Sequence, residues 1–363
     1  MMKILLIGEY SGLHKELKQA LVSLGHEVTL AAACDFWKKF DVDISLGYGD
    51  SIYSYKLRQL VLPLVKLKKF AGYDVVHVIN FYVIPRLPIL NLYMIRFLKE
   101  HNKVVTVSGS GDDPFFVKFS DKTMRYSPIP THERYDRGKP YYMRKESHVE
   151  AMHTYMGYVD GVVPIMCEYY STFCAAGYSD KTSKPIPIPI NTEKIDFKQN
   201  RFGNKLVLFH GLNRPGFKGT FLIEKAFGRL LKVFPKKLDC IIDGKMPFDK
   251  YMGVISKTNV SVDQVFSYSL AMNALYSMAQ GKIVAGGGEP ESSILYNGVL
   301  PPVINLLPDE GSIFSNLKSY VESVFDDPEL LERQAVASRE FVMRHHSPYL
   351  VAKAYVEFWC NLS

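Results

Sequence analysis

Nowhere in these 363 residues does an uninterrupted apolar run reach the roughly eighteen residues a membrane-crossing helix needs, so no transmembrane span is expected. The opening "MMKILLIGEY" turns polar at Glu9, too early for a secretory leader. Cysteine is scarce: the five residues Cys34, Cys167, Cys174, Cys240 and Cys360 make an odd count with no C-x-x-C pair. That pattern argues against a disulfide framework and predicts buried, reduced thiols in the cytoplasm. The G-x-S-x-G elbow of esterases is missing, since the run around Ser110 reads "SGSGD". A complete G-x-G-x-x-G is missing too, which speaks against a dinucleotide oxidoreductase. The ten histidines show no ligand spacing with cysteine, so no metal and no cofactor are expected. The lone D-x-D, Asp41 to Asp43, does not end an apolar strand and reads as a surface loop.

What is present is globular. Apolar residues make up 47% and charged residues 22%, enough core for two domains and too few charges for wholesale disorder. The net charge of +7 is mild, without the dense basic clusters of a nucleic-acid binder. One stretch is locally biased. Ser51 to Tyr73 holds no acid but has Lys56, Arg58, Lys66, Lys68 and Lys69 among leucines and valines. A helix of that kind either packs its apolar face on a core or lies on an anionic membrane surface.

Apolar runs and helical periods alternate. "KILLIG", "HEVTLAAA", "DVVHVIN", "KVVTVSG" and "GVVPIM" read as strands, with helical runs over His14 to Gly25, around Ile89 to Glu100 and around Met143 to Tyr158. This is the pattern of a doubly wound α/β domain. "KPIPIPINTEKIDF" (Lys184 to Phe197) places proline at alternate positions, which forbids helix and suits a linker. The alternation then restarts with "KLVLFHG", "LDCIIDG", "NVSVDQV", "KIVAGG" and "PVINL", with a helix over Leu270 to Gly281. From Asp309 the chain reads as helical to its end, broken near His345 to Pro348.

The first strand of the second half runs into "HGLNRPGFKGT", His210 to Thr220. Arg214 and Lys218 stand four residues apart among Gly211, Gly216 and Gly219, just before an amphipathic run. Helix N-termini expose unpaired N–H groups, glycine admits a ligand to the backbone, and the two cations add charge and directed donors. The combination suits a diphosphate, at the strand end where open α/β sheets bind ligands.

These segments resemble GT-B glycosyltransferases, in particular the family 4 transferases of bacterial surface polysaccharides. "FHGLNRPGFKG" is similar to the strand–loop–helix in which an Arg and a Lys hold the donor diphosphate. "VDQVFSYSLAMNALYSMAQGKIVAGGGEPE" resembles the long donor motif, and "KILLIGEYSGLHKELKQALVSLGHEVTL" the opening of the acceptor domain. The resemblance implies two Rossmann-like doubly wound domains facing a cleft, with a final helix crossing back to the N-terminal domain. It implies an acceptor-binding domain over 1–190, a nucleotide-sugar-binding domain over 191–345, and the returning helix over 346–363. Arg214 and Lys218 would stabilise the leaving diphosphate, and Asp112 would orient or deprotonate an acceptor hydroxyl. Asp112 and Asp113 stand together in "GSGDD".

Substrate contacts are expected from Gly12, Asn80, Gly211, Gly219, Asp263, Gln264, Tyr276, Glu289 and Glu291. Two family glutamates are replaced here by Tyr268 and Tyr276; Glu289 and Glu291, after the glycines Gly286 to Gly288, can supply a carboxylate. Asn80 and Ser108 stand near places where the family often has histidine. Phe115 to Lys145 reads as a long loop rich in tyrosine and cations, suited to sugars or lipid diphosphates. The expected activity is metal-independent hexosyl transfer from a UDP- or GDP-linked sugar to a glycan or polyprenyl-diphosphate-linked acceptor; the resemblance implies retention at the anomeric carbon, and the loss of the two glutamates leaves inversion open. The expected setting is the cytoplasm, peripheral on the inner face of the membrane. A non-catalytic nucleotide-sugar-binding relative and a nucleotide-sugar epimerase are the alternatives.

Overall fold

A computed structural model describes residues 1–33, 42–47, 52–244 and 246–362, without the side chains of 52–56 and Phe248. Cys34 and Asp41 lie outside the described residues, and so do Ser51 and the side chain of Lys56. The chain forms two compact units. The first takes Met1–Thr123, Tyr141–Pro189 and Pro348–Ser363; the second takes Met124–Pro140 and Ile190–Ser347. The segment Met124–Pro140, inside the range read as one acceptor domain, therefore belongs to the second unit.

The first unit is built on six parallel strands: β1 (Lys3–Ile7), β2 (Glu27–Ala33), β3 (Ile44–Gly47), β4 (Val75–Val78), β5 (Val104–Gly109) and β6 (Gly161–Pro164). Their order is β3-β2-β1-β4-β5-β6, so the strand order reverses between β1 and β4. The strands are apolar on both faces because helices cover both. β3, "ISLG", was not among the expected strands. The final helix, Pro348–Cys360, lies in this unit, with Val351, Ala352, Tyr355 and Trp359 buried among Ile4, Leu6, Leu17 and Leu21. Trp359 donates Nε1–H to Thr106 Oγ1 at 3.1 Å. Gly161 makes room for it, since a Cβ there would meet the Phe358 ring at 2.6 Å.

The second unit has β7 (Leu206–Leu212), β8 (Leu238–Gly244), β9 (Val260–Val262) and β10 (Ile283–Ala285), in the order β10-β9-β7-β8 and again parallel. Its order reverses at β7. "PVINL" is not a strand: only Ile304 bridges Ala285. Pro301 and Pro302 offer no N–H to a ladder. The expected loop over Phe115 to Lys145 is largely helical. Pro114–Thr123 is an α-helix that buries Phe115, Phe116 and Val117, and His132–Arg137 is a π-helical turn. The thiols are also less buried than expected. Cys167 is buried, Cys174 and Cys240 are partly so, and Cys360 is exposed on the last turn of the final helix. Among the described residues no helix is long and apolar enough to cross a membrane.

Candidate functional site

The turn after β7 is already holding an anion. Pro215–Lys218 forms one short helical turn, opened by Arg214 and closed by Gly219 in the left-handed region at φ 76°. A Cβ on Gly219 would sit 2.5 Å from Val265 Cγ2, so both the backbone angle and the packing require glycine. The amides of Gly216 and Phe217 donate to the two carboxylate oxygens of Asp136, at 2.8 and 3.0 Å. Asp136 is fixed in turn by His132 Nδ1 at 2.6 Å. The Arg214 guanidinium lies over the Phe217 ring at 4.0 Å, with Nη2 3.3 Å from His132 Nε2.

Lys218 lies behind this surface. Its ammonium donates to Asp263 Oδ1 at 2.9 Å, and the two side chains are 8% and 6% exposed. Asp263 follows β9 directly, so two of the expected site residues meet as a buried ion pair. An ammonium carries three donors, and the Asp263 bond takes one of them. His210, on β7 beside Gly211, bridges Val262 O and Thr220 Oγ1, both at 2.8 Å. Burial pushes its pKa down to about 4, so it is neutral at pH 7.

A second charge cluster follows β10. Glu289 is 2% exposed and accepts from Asn305 Nδ2 at 3.0 Å and from Arg125 Nη2. Burial works to raise its carboxyl, but the Arg125 and Asn305 bonds outweigh it and hold the group below its usual range. Glu291 takes the same guanidinium in a fork, at 3.0 Å to both Nε and Nη2. Tyr268 is buried, stacks on Tyr126 at 4.6 Å and accepts the Tyr126 amide at 3.1 Å. The glycines before Glu289 serve the fold. Gly286 and Gly287 have φ of 115° and 70°, and a Cβ on either would press on the Gln264 or Ser269 carbonyl within 3.0 Å. Gln264 and Tyr276 are half-buried, Tyr276 on the helix Met272–Ala279.

In the first unit, the turn after β1 carries Gly12 at φ 100°, which opens the helix Leu13–Ser23. Its amide donates to Glu9 Oε1 at 2.7 Å, and the Lys15 amide donates to Glu9 Oε2 at 2.8 Å. Asn80, after β4, is buried and committed to the backbone: Nδ2 donates to Ser110 O at 2.5 Å and Oδ1 accepts the Tyr82 amide at 2.8 Å. Ser108 Oγ lies 2.7 Å from Nε2 of the buried His77. The Asp112 carboxylate accepts the Tyr141 hydroxyl at 2.7 Å.

Its neighbour Asp113 is 1% exposed and caps the helix Pro114–Thr123 through the Phe116 amide at 2.9 Å. Burial, with Asp112 adding to it, raises its carboxyl to about 7. The other oxygen, Oδ2, is buried without a hydrogen-bond partner. A carboxyl raised in this way is tuned for proton transfer at neutral pH. Tyr10, Gln59, Tyr82 and Pro85 line a cavity of about 160 Å3 beside Gly8 and Glu9.

No known family profile and no curated protein matches the chain in sequence. Solved structures do match. A sucrose-phosphate synthase from Thermosynechococcus elongatus, 12% identical, superposes with a TM-score of 0.64 over 99% of both chains. The catalytic domain of starch synthase IV from Arabidopsis thaliana, bound to ADP and acarbose, gives 0.63 at 12% identity over 99% of each. HepE from Anabaena, in complex with UDP-glucose, gives 0.61 at 10% identity over 99% of this chain and all of its own.

The fold is GT-B. Within it, the structure gathers Gly211, Arg214, Lys218, Gly219 and Asp263 around one turn, and Glu289 and Glu291 around Arg125. It gathers Gly12 with Glu9, and Asn80 with the backbone of Asp112. Sequence reasoning missed Asp136 and His132, and took Arg125 only as one of the cations of the stretch Phe115 to Lys145. His132 and Asp136 stand four residues apart, but the groups that they and Arg125 meet in the turn and at Glu289 lie far along the chain, where no local spacing announces them.

Proposed function

We propose that the protein is a glycosyltransferase that takes a sugar from a nucleoside-diphosphate donor to a glycan or lipid-linked acceptor. The observation that carries this is the turn Gly211–Gly219, whose amides hold a bidentate anion beside Arg214 in a GT-B fold. A leaving diphosphate there gains hydrogen bonds from Gly216, Phe217, Arg214 and Lys218 as its charge grows, which is how such a site lowers the barrier. Side chains and amides alone carry that charge in this reading, so no divalent cation is required. Asp112 orients the acceptor hydroxyl, and Asp113 adds a carboxyl that titrates near neutrality.

Synthesis of a surface polysaccharide on a lipid carrier is the setting we favour. The helix Ile52–Val65 supports it: Leu57, Val61 and Val65 form an exposed apolar stripe next to exposed Arg58, Lys68 and Lys69. Such a face suits an anionic bilayer surface.

The test is calorimetry with UDP, GDP and ADP, followed by detection of nucleotide release from the matching sugar donor with EDTA present and with anionic or neutral vesicles. Arg214→Ala is expected to weaken nucleotide binding by about 1.5–3 kcal/mol, the scale of a hydrogen bond to a charged group. Unchanged affinity removes the diphosphate reading. Binding without release in any arm leaves the non-catalytic relative as the better description. Vesicle-independent release removes the membrane part.

A further inference from the structure

The segment Met124–Pro140 leaves the first unit after Thr123, returns to it at Tyr141, and is itself part of the second unit. Two of its charged side chains, Asp136 and Arg125, are held by distant parts of the second unit. Asp136 lies on the Gly216 and Phe217 amides next to Arg214. Arg125 lies on Glu289 and Glu291. Aromatic contacts fill the space between: Tyr126 stacks on Tyr268, and Tyr135 on Phe221 at 4.5 Å. The approach is close enough to require glycine. A Cβ on Gly216 would stand 2.4 Å from Thr131 O and 3.0 Å from Tyr135 Cβ. The turn that presents Asp136 is wound as a π-helix, a rare winding that frequently occurs at functional sites.

A nucleotide sugar has the same layout, an anionic diphosphate joined to hydroxyl-bearing rings that donate to carboxylates. We propose that residues 124–140 are an internal occupant of the nucleotide-sugar site, and that a nucleoside diphosphate binds by displacing them. Asp136 gives up the two amides to phosphate oxygens, and Arg125 gives up Glu289 and Glu291 to ribose or sugar hydroxyls. This rests on the diphosphate reading above. The consequence is a site closed by its own chain in the absence of donor. Its apparent affinity is reduced by the fraction of molecules in which the segment is docked.

The experiment pairs UDP calorimetry with hydrogen exchange across 124–140 and at Gly216 and Phe217, on wild type, Asp136→Asn and Arg125→Gln. UDP is expected to raise exchange across 124–140 in the wild type. Asp136→Asn is expected to bind UDP about tenfold tighter, as removal of a competitor docked nine times in ten would do. Arg125→Gln should move the same way. Equal affinity in all three proteins with exchange over 124–140 unchanged by UDP makes the segment a fixed wall of the unit and overturns the inference, while the nucleotide reading stands. Weaker binding in both variants makes the segment part of the ligand's own contacts and also overturns it. If UDP, ADP and GDP bind none of the three, the nucleotide reading fails and the inference fails with it.

Discussion

The two units answer one electrostatic need in two ways. Each has a strand, a glycine turn and a helix at the point where its strand order reverses, and each turn leaves amides without a helical partner. After β1 the partner is Glu9, in the same turn, at 2.7 and 2.8 Å. After β7 it is Asp136, eighty positions away in sequence, at 2.8 and 3.0 Å. The distances are nearly equal, but the tethers are not. Glu9 cannot leave its amides without rebuilding the loop that holds them. Asp136 rides on a separate segment whose release leaves the turn intact. A carboxylate supplied locally is a structural cap, and one supplied from afar can be exchanged for a ligand.

The sharpest way to test what holds the second turn is to break the pair behind it. Lys218→Ala leaves the Asp263 carboxylate buried and unpaired, which is expected to cost about 3–5 kcal/mol in urea unfolding. The double variant Lys218→Met with Asp263→Leu should recover most of that loss, because the penalty comes from the orphaned charge. A single variant that unfolds with the wild type would show the pair to be solvated, and the second turn would then rest on the remote segment alone.

The next effect compares the histidines beside the turns. His14 Nδ1 meets Gly8 O at 2.7 Å and His210 Nδ1 meets Val262 O at 2.8 Å. Burial lowers both to about 4. Their unfolded value lies near 6.5, so the unfolded chain takes up protons first as the pH falls. The stability each contributes is therefore complete above about 6.5 and is lost between there and about 4, on the order of 3 kcal/mol per histidine. In the first unit His77 is also pushed down, by burial and then by His14, whose ring lies 5.4 Å away. Asp113, whose carboxyl is raised to about 7, works the other way in the first unit and gains stability as the pH falls from 7. In an Asp113→Asn background the first unit should therefore loosen at a higher pH than the second, read by hydrogen exchange of β1 and β4 against β7 and β9 between pH 7 and 4. Equal acid sensitivity in the two sheets would remove the asymmetry.

What the sequence disclosed follows the same division between near and far. β1 is a continuous apolar run and β4 and β5 are valine-rich runs broken by His77, Thr106 and Ser108, and a strand buried on both faces looks much like that from sequence alone. The donor turn was legible because its cations and glycines lie within nine residues, Gly211 to Gly219. β3 was not, since four residues of "ISLG" carry too little pattern. The helix Pro114–Thr123 is less legible, since the apolar period of Phe115, Phe116 and Phe119 is short and runs into a stretch rich in tyrosine and cations. The remote partners of the turn and of Glu289 were invisible for a stronger reason. Asp136 and Arg125 are ordinary polar residues whose meaning comes only from the chain's return to a distant surface. The glycines at Gly286 and Gly287 were visible, but their purpose was not: they relieve contacts with the chain's own carbonyls.

The smallest expected effect bears most directly on the two caps. Replacing a helix-capping carboxylate typically costs about 0.5–2 kcal/mol, by loss of charge on the amides it serves. Glu9→Gln should show that cost in full, because Glu9 lies within its own turn, takes the Gly12 and Lys15 amides and is 9% exposed. Asp136→Asn should cost less, since it releases a separate segment and leaves the turn itself folded, whereas Glu9 is part of the turn it closes. The two variants should then part on addition of UDP. A ligand stabilises by an amount that grows as its dissociation constant falls, so UDP should raise the unfolding midpoint of Asp136→Asn by more than that of wild type. If Asp136→Asn instead costs as much as Glu9→Gln and gains nothing extra from UDP, the remote carboxylate is a cap like the local one, and the distinction between the turns collapses to chain distance.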